Sequence, residues 1–236
     1  AHNEKGWFRA LRPDEVLTKV YDGLFARNPK VKPEDIESVF VGCANITGMQ
    51  NDIGRLAWLA GGFPESVPTN TLTMQCPSGM AATQHAARAI MCGEGDTYIA
   101  SGVEDMQKVF MAMHMDFPPR LANRYNILDL PMGNTAEKVA EVYKISRVDM
   151  ETMAYWSNKK ADEATKAGKF KDEIIPMEGL KEDGTPFMVE TDQWVRGDVS
   201  MEQMATMKTP FKPDGSVTAA TSSPLTIGAA AILLME

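Results

Sequence analysis

The segment Thr71–Asp96, TLTMQCPSGMAATQHAARAIMCGEGD, sets one cysteine between an extended stretch and an alanine-rich helix. Pro77 suits the first helical position, where its missing N–H costs no intrahelical bond. It also biases Cys76 away from helical φ/ψ, toward a strand-to-helix corner. A thiol at that corner sits at a helix N-terminus, where unpaired N–H groups and the dipole favour an anion. Such a site can lower a thiol pKa from about 8.5 by one or more units, toward thiolate at neutral pH. The corner is a sulfur counterpart of the nucleophile elbow, so the chemistry to expect is nucleophilic catalysis. The competing reading makes Cys76 a small buried hydrophobe, the usual role of a free cysteine.

A nucleophile of this kind needs a base, and no histidine supplies one. His85 lies nine residues on, so it points about 180° away and roughly 13 Å along the helix axis; it reads as a helix-surface histidine. His114 falls in the irregular stretch FMAMHMDFPP, and His2 in a terminus expected to fray. Glu104 and Asp105, at a strand end, imitate an acid/base pair but read as strand-end packing or helix capping.

The elements that must position the thiol follow from periodicity. PDEVLTKVYDGLFAR repeats apolar residues at helical spacing over Pro13–Arg27. A short buried strand is expected at Val39–Gly42, and a second helix through NDIGRLAWLAGG that stops at Gly61 and Gly62. Strand 70–75, helix 78–91 and strand 97–103 then alternate, which predicts a parallel α/β sheet. The small residues Gly79, Ala81, Ala82, Ala86, Ala87 and Ala89 predict that the 78–91 helix is buried. Lys108–Pro131 has no clear period. Two helices follow, TAEKVAEVYKI and, after the capping-box pattern Ser146–Asp149, a long one through Lys166 that ends at Gly168. Residues 171–216 are irregular with hairpin-like EDGTP and KPDGS, and GAAAILLME suits a fully buried strand. The predicted architecture is an α/β core over 1–110 and 215–236, interrupted by a partly helical insertion at 111–214.

Composition bounds the function. The chain has 236 residues, 44% hydrophobic and 24% charged, ordinary for a globular protein with a sizeable core. A formal net charge of -8 excludes a general nucleic-acid surface, which needs a basic field. No apolar run reaches membrane-spanning length and no signal-peptide pattern opens the chain, so no membrane partner is expected. Three distant cysteines, Cys43, Cys76 and Cys92, do not form a disulfide framework and suggest a reducing compartment, most simply the cytoplasm.

NTLTMQCPSGMAATQHAARAIMCGEGDTYIASGVEDM resembles the nucleophile segment of the thiolases, a Cys-x-Ser-Gly turn, a helix and a Gly-x-Glu strand end. MGNTAEKVAEVYKISRVDMETMAYWSNKKADEATKAGKFKDEIIP is similar to the opening of their inserted loop domain, and GSVTAATSSPLTIGAAAILLM to the strand that returns from it. The three motifs stand in family order and cover nearly the whole chain. The resemblance implies a thiolase-like layered αβα core, half of a duplicated αβαβα fold, with the inserted loop domain. It implies an acyltransferase of acyl-CoA and lipid metabolism, in which Cys76 takes an acyl group as a thioester. The reaction is thiolytic cleavage of a 3-ketoacyl-CoA or its reverse, a Claisen condensation. A thiolate is both nucleophile and leaving group, which suits exchange between thioesters. One preorganised donor to the tetrahedral oxyanion contributes about 3–4 kcal/mol, and in the family that donor is the N–H of the nucleophilic cysteine. Pro77 stands where Gly or Ser is commoner.

For coenzyme A, carry-over onto matching positions implies Arg196 at the nucleotide end, Ser223, Ala219 and Leu225 along the pantetheine channel, and Met132 near the thioester. The plainer readings are a solvated surface arginine and a Ser/Thr loop before a strand. Pro131 and Pro224 depart from the commoner family residues. Coenzyme A and acyl-CoA enter as substrates, with no resident cofactor and no metal. The family's His, second Cys and Asn belong to a second half that this chain lacks, so it reads as a fragment or one chain of a split enzyme, partnered by a C-terminal half and assembled as a homodimer or tetramer. Two alternatives stay open: a non-catalytic thiolase-like subunit serving as partner or CoA-binding platform, and a ketoacyl-synthase-like condensing relative, against which the loop-domain motif MGNTAE counts.

Overall fold

A computed structural model describes residues 5–111 and 116–236; His2 and His114 lie outside them. Residues 5–111, 175–190 and 225–236 form one compact unit, and 116–174 with 191–224 a second. Compared with the insertion expected at 111–214, residues 175–190 group with the core and 215–224 with the second unit.

The first unit is built on a four-stranded sheet, in the order β2 (Thr69–Leu72), β1 (Ser38–Gly42), β3 (Thr97–Asp105), β6 (Ile227–Met235). β1 runs parallel to β2 and β3, pairing Val41 with Thr71 and with Ser101. β6 runs antiparallel to β3, pairing Ala231 with Ser101. The sheet is therefore mixed, not wholly parallel. Successive side chains in a strand face opposite sides, and both sides of the central strands are covered. Val39, Val41, Ile99 and Val103 meet Leu17 and Tyr21 of α1 (Pro13–Arg27) and Ile53, Ala57 and Trp58 of α2 (Ile53–Ala60). On the other side Tyr98 and Ala100 meet Ala82, Ala86 and Ala89 of α3 (Ser78–Met91). The result is an αβα sandwich.

Two expectations need correction. α3 is not buried all round: Ser78, Ala82, Ala86 and Ala89 form one buried face, while Met80 and Met91 stand 65% and 84% exposed. Small residues here serve one close contact with the sheet, and the outer face is open. β6 is not fully buried either, because it is an edge strand; its residues alternate between half-buried and exposed. A hairpin of β4 (Met177–Leu180) and β5 (Pro186–Val189) closes around the EDGTP turn, with Gly184 at φ +86°. Within the same unit, Met177 packs on Val16 and Val20 of α1.

The second unit holds α4 (Pro119–Ala122), α5 (Met132–Tyr143), α6 (Arg147–Lys166) and α7 (Met201–Ala205). α6 opens on the expected capping box, Ser146 Oγ accepting from Asp149 N–H at 3.1 Å and Asp149 Oδ2 from Ser146 N–H at 3.2 Å. α5 begins three residues before the TAEK motif, directly after Pro131. Buried carboxylates organise this unit. Glu137 of α5 accepts from the N–H groups of Ser216 and Val217 and from Ser216 Oγ, at 2.8–3.0 Å. Burial works against its charge, yet those donors hold the carboxyl below its ordinary pKa. Glu151, 2% exposed, binds Arg147 Nε at 2.6 Å, and Arg147 Nη2 donates to the carbonyls of Met204, Ala205 and Met207. No helix among the described residues is long and apolar enough to cross a membrane.

Candidate active site

β2 ends at Leu72 and α3 begins at Ser78, so five residues make the corner that carries Cys76. Gln75 adopts φ +58°, a left-handed conformation that few non-glycine residues take outside tight turns. Ser78 locks the turn: its Oγ accepts from Met74 N–H at 2.9 Å and donates to Gln75 O at 2.5 Å, and its own N–H reaches Gln75 O at 3.0 Å. The helix starts at Ser78 as expected, and Pro77 takes the N-cap position instead of the first helical one. The first turn of α3 presses on the end of β1. A Cβ on Gly42 would lie 2.3 Å from Ser78 C, so only glycine fits there.

The corner leaves Cys76 exposed. It lines a cleft of about 520 Å³, bounded by Ala44, Asn45 and Glu104 on one side, by Gly79 at the start of α3, and by Gly228–Ala230 of β6. The walls are mostly glycine, alanine, valine and methionine. An exposed thiol in an apolar, open cleft at the C-terminal ends of parallel strands is placed to meet a ligand. The other cysteines are not. Cys43 is 1% exposed, and burial first, then the adjacent Glu104 charge, pushes its pKa up to about 12; it stays a thiol. Cys92 is exposed at the far end of α3.

No base accompanies Cys76 among the described residues of the cleft. His85 stacks on Phe40, ring centroids 5.7 Å apart, on a different turn of α3. Glu104 and Asp105 are engaged with backbone. Asp105 Oδ1 accepts from Gln107 and Lys108 N–H at 2.9 and 3.0 Å, capping the turn after β3. Glu104 accepts from the loop after β1.

In the second unit, Arg196 and Ser223 line one cleft of about 430 Å³. Arg196 Nε is buried and makes no hydrogen bond among the described residues, which does not fit a solvated surface arginine. The segment carrying it is fixed from α6: Lys159 Nζ donates to Gly197 O at 2.6 Å, and a Cβ on Gly197 would lie 2.3 Å from Asp162 Cγ. The Ser/Thr run is shaped by its own bonds, Thr221 N–H to Thr218 O at 3.2 Å and Ser222 Oγ to Thr218 O at 2.8 Å. That turn points Ala220 into the cleft and leaves Ala219 exposed. Met132, 63% exposed at the start of α5, and Leu225, 43% exposed, do not line it either.

Trp194, Asn158 and Ser222 do line it and were not singled out in the sequence. Trp194 stands two residues before Arg196, a spacing that could have drawn notice. Asn158 could not be found that way, because α6 and the 194–196 segment meet only through the chain's return.

Comparison with known proteins agrees with this layout. The whole of residues 1–236 matches the family model described as thiolase, N-terminal domain. A 3-ketoacyl-CoA thiolase of Pseudoalteromonas translucida is 40% identical over 98% of this chain and 60% of its own length. Another from a Marinomonas species is 38% identical over 99% of this chain and 60% of its own. The crystal structure of the Bacillus anthracis acetyl-CoA acetyltransferase superposes with a TM-score of 0.81 at 29% identity, covering 98% of this chain and 62% of that one. The chain thus spans about 60% of the length of these relatives. With its αβα core, cysteine corner and looped-out second unit, it belongs to the thiolase family.

Proposed function

We propose that the chain is the nucleophile-bearing part of a thiolase-type acyl-CoA acyltransferase, with Cys76 as the acyl carrier. The observation that carries this reading is the exposed thiol held at a tight strand-to-helix corner inside an apolar cleft, in a chain of thiolase ancestry.

In the degradative direction the Cys76 thiolate attacks the 3-keto carbon of a 3-ketoacyl-CoA. The bond between carbons 2 and 3 breaks, its electron pair stays on carbon 2, and protonation there releases acetyl-CoA. The acyl group remains on sulfur until the thiol of free CoA attacks the enzyme thioester and carries it away. Condensation runs these steps backward. The proton donor and base for both halves are proposed to come from sequence beyond this chain. The Arg196–Trp194 cleft would hold the nucleotide end of CoA, a guanidinium suiting phosphate and an indole a flat base.

The test is thioester exchange. A protein of the relatives' full length should transfer acyl groups between acyl-CoA and labelled CoA, and Cys76→Ser should abolish that transfer. Binding of CoA without transfer in the wild-type protein would leave only a non-catalytic CoA-binding platform.

A further inference from the structure

Glu104 is an acidic side chain on the wall of the Cys76 cleft, and its position suggests a proton shuttle. Its bonding shows another task. Oε2 accepts from Ala44 N–H at 2.6 Å and Asn45 N–H at 3.4 Å, and Oε1 from Asn45 Nδ2 at 3.0 Å and Gln50 Nε2 at 2.7 Å. Both oxygens are occupied by donors from one loop. Gln50 is tied in turn, its Oε1 accepting Asp105 N–H at 2.6 Å, so the cluster is anchored to the end of β3.

Among the described residues, the fixed loop is hydrogen-bonded to the cysteine corner through Thr73. Cys43 N–H donates to Leu72 O at 3.0 Å, the last rung between β1 and β2. Next, Thr73 Oγ1 donates to Ala44 O at 3.2 Å. Thr73 is exposed and precedes Gln75, where the chain turns left-handed. The peptide whose N–H Glu104 grips thus joins, through the carbonyl of the same residue, the segment that bears the thiol.

We infer that Glu104 is a positioning residue for Cys76, acting through Ala44 and Thr73. It holds the elbow in the geometry that presents the thiol at the head of α3. This rests on the proposed role of Cys76 as nucleophile, yet it is testable without acyl-CoA. In Glu104→Gln an amide N–H₂ replaces one acceptor oxygen among five donors, the fifth being Cys43 Sγ at 3.7 Å, and the loop loosens. Thr73→Val removes only the final tie, at an exposed site whose loss spares the fold, and Thr73→Ser restores the hydroxyl.

The experiment is alkylation by iodoacetamide under native conditions, read by peptide mass spectrometry as the rate at Cys76 relative to the exposed Cys92, with melting temperature measured in parallel. The ratio should fall several-fold in Glu104→Gln and Thr73→Val, because the thiol is no longer held at the head of α3, where the unpaired N–H groups lie. Thr73→Ser should return it to the wild-type value. An unchanged ratio in folded Thr73→Val overturns the inference, even if Glu104→Gln fails to fold. A wild-type protein that alkylates as expected but never takes an acyl group would refute the acyltransfer reading and leave this one standing.

Discussion

The two units are held together by opposite means. The first has a continuous apolar core, with Trp58, Tyr21, Leu17, Ile53 and Ile99 fully buried. The second buries little of that kind among its described residues, chiefly Ala140, Met204 and Val217, and is stapled by Glu137 and Glu151. Their clefts differ in the same sense. The thiol cleft is shaped by backbone, through Gly42, the Gln75 turn and the loop that Glu104 holds. The Arg196 cleft is shaped by side chains that come together from α6 and two return segments. Under the proposed function, a close-packed core suits a reacting atom that must be fixed, and a hydrogen-bonded frame suits a large polar ligand that must be let in and out.

That contrast can be broken most severely in the core. Trp58→Ala should cost about 3–5 kcal/mol, because its ring packs on Phe63 at 4.6 Å and Tyr21 at 5.5 Å. Chemical denaturation should show the loss in the first unit; a cost below about 1 kcal/mol would mean that this cluster is not the core. Glu151→Ala comes next, at about 1.5–3 kcal/mol for a charged hydrogen bond. It frees Arg147 and with it the carbonyls around Met207. Hydrogen exchange should speed up in α6 and α7 while the sheet stays protected.

Titration should separate the units from opposite ends of the pH scale. Glu137 has a lowered folded pKa. Its contribution is therefore present above the unfolded carboxyl value of about 4.3 and lost as pH falls through the folded value. Amides of Ser216 and Val217 should lose protection in acid before those of β1. Cys43 has a raised pKa of about 12. Its contribution is full below the unfolded thiol value of about 8.5 and fades as pH rises toward the folded one. The sheet should weaken in alkali first. The reverse order would contradict the division. Gly197→Ala should have the smallest effect on stability but should weaken CoA binding through Asp162 and Arg196, as calorimetry would show.

Local patterns in the sequence located α1, α3 and α6 to the residue and placed Cys76 at its corner, because caps, proline and helical spacing act over short range. Burial was less legible. The run GAAAILLME looks like an interior strand, and only its antiparallel pairing at the sheet edge leaves Ile232 46% exposed. The alanines of α3 likewise state that something approaches closely, not on how many sides. In the second cleft Arg196 and Ser223 were legible from motif likeness, whereas Asn158 enters through packing of α6. The Glu104 anchor was invisible, since Glu104, Ala44 and Thr73 are far apart in the chain.

The most direct measurement is the mass of the Cys76 peptide after a protein of the relatives' full length is mixed with acyl-CoA and quenched in acid. The account predicts one acyl group, bound as a hydroxylamine-sensitive thioester on Cys76 and absent in Cys76→Ser. An acyl group on any other residue, or none in protein shown to bind the acyl-CoA, would contradict it.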